Sequence, residues 1–83
     1  VKILYFAWVR ERIGLESETV EPPATVRTVA DLAGWLAARG EGYARAFENP
    51  RIVRAALDRR HAKPDSAIDG VNEIAFFPPM TGG

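Results

Sequence analysis

The sequence closes on Phe76-Phe77-Pro78-Pro79-Met80-Thr81-Gly82-Gly83, and the group there with chemistry to offer is the Gly83 carboxylate. A free carboxylate is a poor electrophile. Phosphoryl or adenylyl transfer turns it into a mixed anhydride, and its carbonyl then becomes an acyl donor to a nucleophile. Gly82 and Gly83 carry no Cβ, so this terminus can thread a narrow channel and bring its last carbonyl against another protein's catalytic groups. Pro78-Pro79 favours an extended polyproline path, and residues 78–83 would reach roughly 20 Å at ~3.1–3.4 Å each. Ordering Met80, Thr81, Gly82 and Gly83 costs about 4–8 kcal/mol of backbone entropy. A partner must offset that cost through hydrogen bonds to the tail, Met80 and Thr81 included, and through contacts with the globular body. Phe6 and Trp8, on one face of the first strand, and Phe77, leading into the tail, are the apolar side chains expected in that docking patch. A frayed terminus is the plainer account of such an end. The aromatic strand feeding directly into Pro-Pro, with no polar spacer, favours a delivery arm.

Side-chain chemistry has few other candidates. The sequence contains no cysteine and a single histidine, His61, which removes disulfides, thiolate metal sites and a cysteine nucleophile, and leaves no histidine cluster for a metal. No second catalytic group is placed beside His61 by spacing, so a partly exposed structural or interface histidine is expected. Glu16, Glu18 and Glu21 read as a solvated strand rather than a metal site. Arg10 and Arg12 are surface cations that would also suit an acidic rim on a partner.

The 83 residues suit one domain with one modest core, since folding at this size buries only about 60–65% of the surface of the unfolded chain. A large internal active-site cavity is not expected. Eleven Lys+Arg balance eleven Asp+Glu, 47% of residues are hydrophobic, and charge is dispersed along the chain, without a footprint for nucleic acid. No apolar run approaches the ~20 residues that cross a bilayer, and the opening stretch lacks the marks of a secretory signal. A cytoplasmic protein is expected, with no cofactor or metal bound.

The elements that must position the tail follow from periodicity. Val1-Lys2-Ile3-Leu4-Tyr5-Phe6-Ala7-Trp8-Val9 is apolar on both faces and predicts a central strand. The stretch Leu15–Glu21, ended by Pro22-Pro23, predicts an edge strand paired antiparallel to it. Thr28 and Asp31 have capping-box spacing ahead of Val29, Leu32, Ala33 and Leu36, which predicts the main helix, with Arg39 in its last turn and Gly40 as its left-handed stop. Gly34 inside it implies either a close approach to the sheet or an exposed, tolerated position. Trp35 is expected at the core edge. Tyr43 and Phe47 share one face of a shorter helix closed by Asn49-Pro50. Arg51–Ala62 is ambiguous by period and is read as strand; turn chemistry at Asp58-Arg59, Lys63-Pro64-Asp65-Ser66 and Asp69-Gly70 then separates a short piece around His61 from a last strand, Asn72–Phe77. The order is β-β-α-(α)-β-β-β: an α+β, β-grasp plan, a mixed sheet of about five strands with one main helix and a short second one. Its most apolar strands, first and last, lie side by side at the centre, running parallel if the helical crossover permits. Residues 1–77 form the globular domain and 78–83 a flexible tail.

The Phe-Phe-Pro-Pro-x-x-Gly-Gly end, together with Lys2–Gly14, resembles the small-subunit family of molybdopterin synthase, the sulfur carriers of the ubiquitin-like β-grasp group. The similarity covers essentially the whole chain, and the Pro-Pro pair separates it from thiamin-pathway carriers and ubiquitin-like modifiers. The resemblance implies that an ATP-using, ubiquitin-activating-type adenylyltransferase adenylates Gly83 and that a sulfur donor system converts it to a thiocarboxylate. The tail then enters the large synthase subunit and gives sulfur to cyclic pyranopterin monophosphate, in an assembly of two small and two large subunits. Catalytic groups belong to the large subunit, and ATP is consumed by the activating enzyme. A thiamin-type or amino-acid-biosynthesis carrier, and a ubiquitin-like modifier or interaction module, are the alternatives. Departures from the family pattern are Gly70-Val71-Asn72-Glu73-Ile74, one residue longer than the usual Gly-Asp-Glu-Val, Asp58 in place of a frequent Asn, and His61 near a position more often apolar.

Overall fold

The computed structural model describes residues 1–79. The expectations for Met80, Thr81, Gly82 and Gly83 therefore lie outside the described residues. The chain runs β1 (Lys2–Tyr5), α1 (Ala7–Ile13), β2 (Ser17–Thr19), α2 (Val29–Ala37), α3 (Glu41–Ala46), a 3-10 turn (Pro50–Ile52), β3 (Arg54–Leu57), β4 (Arg60–Ala62) and β5 (Glu73–Phe77). The sheet order is β2-β1-β5-β3-β4. β1 and β5 pair in parallel, with Ile3 opposite Ile74 and Tyr5 opposite Phe76, so the two most apolar strands are neighbours as their composition implied. β2, β3 and β4 complete the sheet through antiparallel pairs.

Alternation sorts the strands into two faces. Ile3, Tyr5, Ala55, Ile74 and Phe76 point to the helices and bury against Val9, Leu32, Leu36, Ala46 and Phe47. Each large side chain so buried contributes about 1.5–3 kcal/mol. Phe47 meets Phe76 edge-on at a centroid separation of 5.0 Å, which anchors α3 to the central strand.

The first strand is shorter than expected. Phe6 still donates its N–H to the Phe76 carbonyl, but Ala7 then takes a positive φ of 52° and turns the chain into α1. Gly14 stops that helix at φ 87°, its N–H donating to the Arg10 carbonyl. An apolar run on both faces of a strand and a short helix with Val9 and Ile13 four apart give similar patterns, and the left-handed stop at Gly14 was the signal for the helix. The chain therefore carries one helix more than the expected order, inserted between the first two strands.

The capping box at α2 is present: Thr28 Oγ1 accepts from the Asp31 N–H, and Asp31 accepts from the Thr28 N–H. Gly40 is not its left-handed stop. α2 ends at Ala37, and Gly40 sits in extended backbone as the N-cap of α3. At Gly34 an added Cβ meets nothing within 4 Å, so the open position, not a close approach, explains that glycine. Gly42 is the close approach, because a Cβ there would run into the Arg12 carbonyl oxygen where α3 crosses α1.

Candidate functional site

β5 is the middle strand, and its end is the root of the tail. Phe76 is 1% exposed on the core face, while Phe77 lies half-buried on the opposite face, which carries no helix of the described core. On that open face one register row runs Leu4, Ala75, Ala56, His61. Ala56 is small enough for the His61 ring on β4 to lean across β3 and meet Phe77 edge-on at 5.5 Å. Phe77 is thus braced from the side, and Pro78 and Pro79 continue from it half-buried. The structure brings Phe77, Pro78, Pro79 and the exposed Phe6 to one end of the sheet through the Phe6 N–H to Phe76 carbonyl bond of 3.1 Å.

Phe6 and Trp8 do not share a strand face. Phe6 stands 47% exposed at the strand-to-helix junction. Trp8 lies on α1, half-buried, with the Arg12 guanidinium 4.5 Å from its ring centroid. Arg12 is committed within the chain, donating to the Arg45 carbonyl at 2.9 Å and approaching Glu48 at 3.8 Å. Arg10 is exposed on α1. Sequence reasoning missed Leu4, Ala56 and Ala75 as the floor of the open face, although their period-two placement opposite the core residues was the available signal.

Glu18 is not a solvated strand carboxylate. Its Oε2 accepts from the Tyr5 hydroxyl at 2.7 Å and the Tyr43 hydroxyl at 2.6 Å, and its Oε1 accepts from Arg39 at 3.0 Å. Burial works to raise the Glu18 pKa, but the two phenol hydrogen bonds and the Arg39 charge outweigh it and hold the carboxyl below its usual range. Burial, then the bond to Glu18, pushes both tyrosines up. The cluster ties β2, β1, the end of α2 and α3 together behind β1 and is structural.

The start of β5 is fixed from the neighbouring hairpin. Asp58 Oδ1 accepts from the Asn72 N–H at 3.2 Å and the Glu73 N–H at 3.0 Å. The segment Gly70–Glu73 thereby reaches the strand in register, with Gly70 at φ 75° making the turn. Among the described residues no group of His, Cys, Asp and Glu is arranged to hold a metal ion, and no helix is long and apolar enough to cross a membrane.

The geometry offers a braced strand end and an apolar surface beside it, but no constellation of catalytic side chains among the described residues. A family model described as the ThiS family matches residues 3–83. Two curated molybdopterin synthase sulfur carrier subunits are each 36% identical: the Escherichia coli protein over 100% of this chain and 99% of its own, and the Haemophilus influenzae protein over the same shares. Among solved structures, SAMP1 from Haloferax volcanii superimposes with a TM-score of 0.70 at 23% identity, covering 99% of this chain and 97% of its own. A protein described as molybdopterin converting factor, subunit 1, from Pyrococcus furiosus reaches a TM-score of 0.74 at 24% identity over 95% of each chain. Both bear out the ubiquitin-like β-grasp architecture.

Proposed function

The chain belongs to the ThiS family, and from that premise we propose that it is the sulfur carrier subunit of a molybdopterin synthase, with Gly83 as the residue that carries sulfur. The observation that supports this most directly is the match over the full length of the curated sulfur carrier subunits, with the family match running through Gly82 and Gly83. In this account the Gly83 carboxylate attacks the α-phosphorus of ATP on an adenylyltransferase, releasing pyrophosphate. Sulfide delivered by a donor system then displaces AMP, leaving a thiocarboxylate. The loaded tail enters the large subunit, which holds the catalytic groups; the thiocarboxylate sulfur attacks cyclic pyranopterin monophosphate, and water then cleaves the resulting thioester, leaving the sulfur on the pterin and restoring the Gly83 carboxylate. Two transfers complete a dithiolene. An assembly of two small and two large subunits working in the cytoplasm fits this account.

Phe6, Phe77, Pro78 and Pro79 form the docking end in this account, with Met80 and Thr81 as the spacer that reaches the pocket and Arg10 at the rim. Trp8 supports the patch from α1. The test is reconstitution with the large subunit. Removing Gly83 should abolish sulfur transfer while leaving the fold and large-subunit binding in place, and full activity in that truncation would overturn the site assignment. A thiamin-type carrier would load in the same way but fail to transfer to the pyranopterin acceptor.

A further inference from the structure

Net charge zero conceals a cationic run at residues 51–63, which the fold sets at one edge of the sheet, so charge is not dispersed as expected. Residues 51–65 hold Arg51, Arg54, Arg59, Arg60 and Lys63 against Asp58 and Asp65. Asp58 is committed to the backbone amides of Asn72 and Glu73. None of the five cations forms an ion pair among the described residues, where the pairs are Arg12 with Glu48 and Arg39 with Glu18. Glu16, Glu18 and Glu21 lie in or beside β2, at the opposite edge of the sheet.

The basic edge adjoins a groove of about 350 Å³ between α2 and the β3–β4 hairpin, floored by Val29, Ala30, Val53, Ala55 and Ala62, with Arg51 and Arg54 in its wall. The groove continues along the small-residue side of α2 past Ala33 and Gly34 towards Phe76. β4 is the outer strand there. Leu57 and Arg60 flank a two-residue turn and so form a hydrogen-bonded pair. Ala56 and His61 are then the non-hydrogen-bonded pair, and the N–H and C=O of His61 point away from the sheet.

We propose that this edge docks an extended segment of a partner protein that alternates apolar and acidic residues. It would lie against β4, its apolar side chains in the groove and its carboxylates on Arg51, Arg54, Arg60 and Lys63. Charge complementarity selects an acidic occupant, and the apolar floor beside an open strand edge selects a peptide over a nucleic acid strand. The inference does not depend on the sulfur-carrier reading.

The probe is a capped peptide, Glu-Val-Asp-Val-Glu-Val-Asp, titrated into the isotope-labelled full chain with amide chemical shifts as the readout. Shifts should be confined to residues 29–34, 51–55 and 60–64, and affinity should weaken at least about fivefold from low to physiological salt. Arg60→Glu and Ala30→Glu, both at exposed positions, should each weaken binding at least about fivefold with the remaining spectrum unchanged. The same peptide with lysine for each acid should not bind. Absence of shifts, shifts centred on β2 or the open face, equal binding of the lysine peptide, or an equal response to oligothymidine would overturn the proposal. In those cases the cations on this short strand serve only to keep the sheet edge from pairing.

Discussion

Phe76 and Phe77 are adjacent in β5 yet face opposite sides of the sheet, the first 1% exposed against Phe47 and the second against His61 on the open face. In the proposed account, stability and docking are thereby divided between neighbouring side chains. Phe76→Ala should cost about 3–5 kcal/mol in chemical denaturation, as for other buried phenylalanines. Phe77→Ala should cost about 1–2 kcal/mol and weaken large-subunit binding by at least about tenfold in calorimetry. Equal losses of stability in the two variants would make Phe77 a core residue instead.

Glu18 accepts from two tyrosine hydroxyls and Arg39, so its loss orphans the buried Tyr5 hydroxyl. Glu18→Ala should destabilise by about 1–3 kcal/mol. Because its folded pKa is depressed, the stabilisation is present above the ordinary glutamate range and is lost as pH falls through the folded value. Tyr5 and Tyr43 are shifted the other way: their contribution is intact below the ordinary tyrosine pKa and declines as pH rises beyond it. Denaturation midpoints across pH should therefore fall at both ends, and the acid fall should be shallower in Glu18→Ala than in the parent.

Two glycines should respond oppositely to the same substitution. Gly34→Ala adds a methyl to open space in a helix and should stabilise by about 1 kcal/mol. Gly42→Ala drives a methyl into the Arg12 carbonyl and should destabilise by about 1–3 kcal/mol. Thermal melts of the two variants side by side decide this, and the same sign in both would mean that the α1–α3 crossing is looser than described.

The β3–β4 turn carries a correctable strain. Asp58 and Arg59 both have positive φ, at 47° and 71°, as a type I′ turn requires. Asp58 tolerates the left-handed region and its carboxylate is in use, whereas the Arg59 side chain makes no hydrogen bond or ion pair among the described residues. Arg59→Gly should raise stability by about 0.5–1 kcal/mol, read as an increased denaturation midpoint with unchanged slope.

Much of this was legible in the residues. The capping pair Thr28 and Asp31, the two apolar strands that ended up parallel, and the Tyr43–Phe47 face all encode their structure within a few positions. What escaped was set by tertiary context. The turn at Ala7 needs a positive φ that alanine does not advertise, so a strand and a helix merged into one apolar run. Glu18 looked solvated because its partners Tyr5, Arg39 and Tyr43 come from three other elements. The cationic run 51–63 stands in the sequence, but its separation from the β2 glutamates depends on β2 and β4 occupying opposite sheet edges. At the candidate site Phe77, Pro78 and Pro79 could be picked out from the sequence, but the brace from His61 across Ala56 exists only through the β5-β3-β4 register.

The central claim is that Gly83 is the atom-bearing end of a sulfur carrier, and intact-mass analysis tests it most directly. The full chain is incubated with the adenylyltransferase, ATP and a sulfur source, and its mass and C-terminal fragments are measured. The account predicts exchange of one oxygen for sulfur, localised to Gly83. An unchanged mass while a known carrier is converted alongside it, or sulfur found on any other residue, would contradict it.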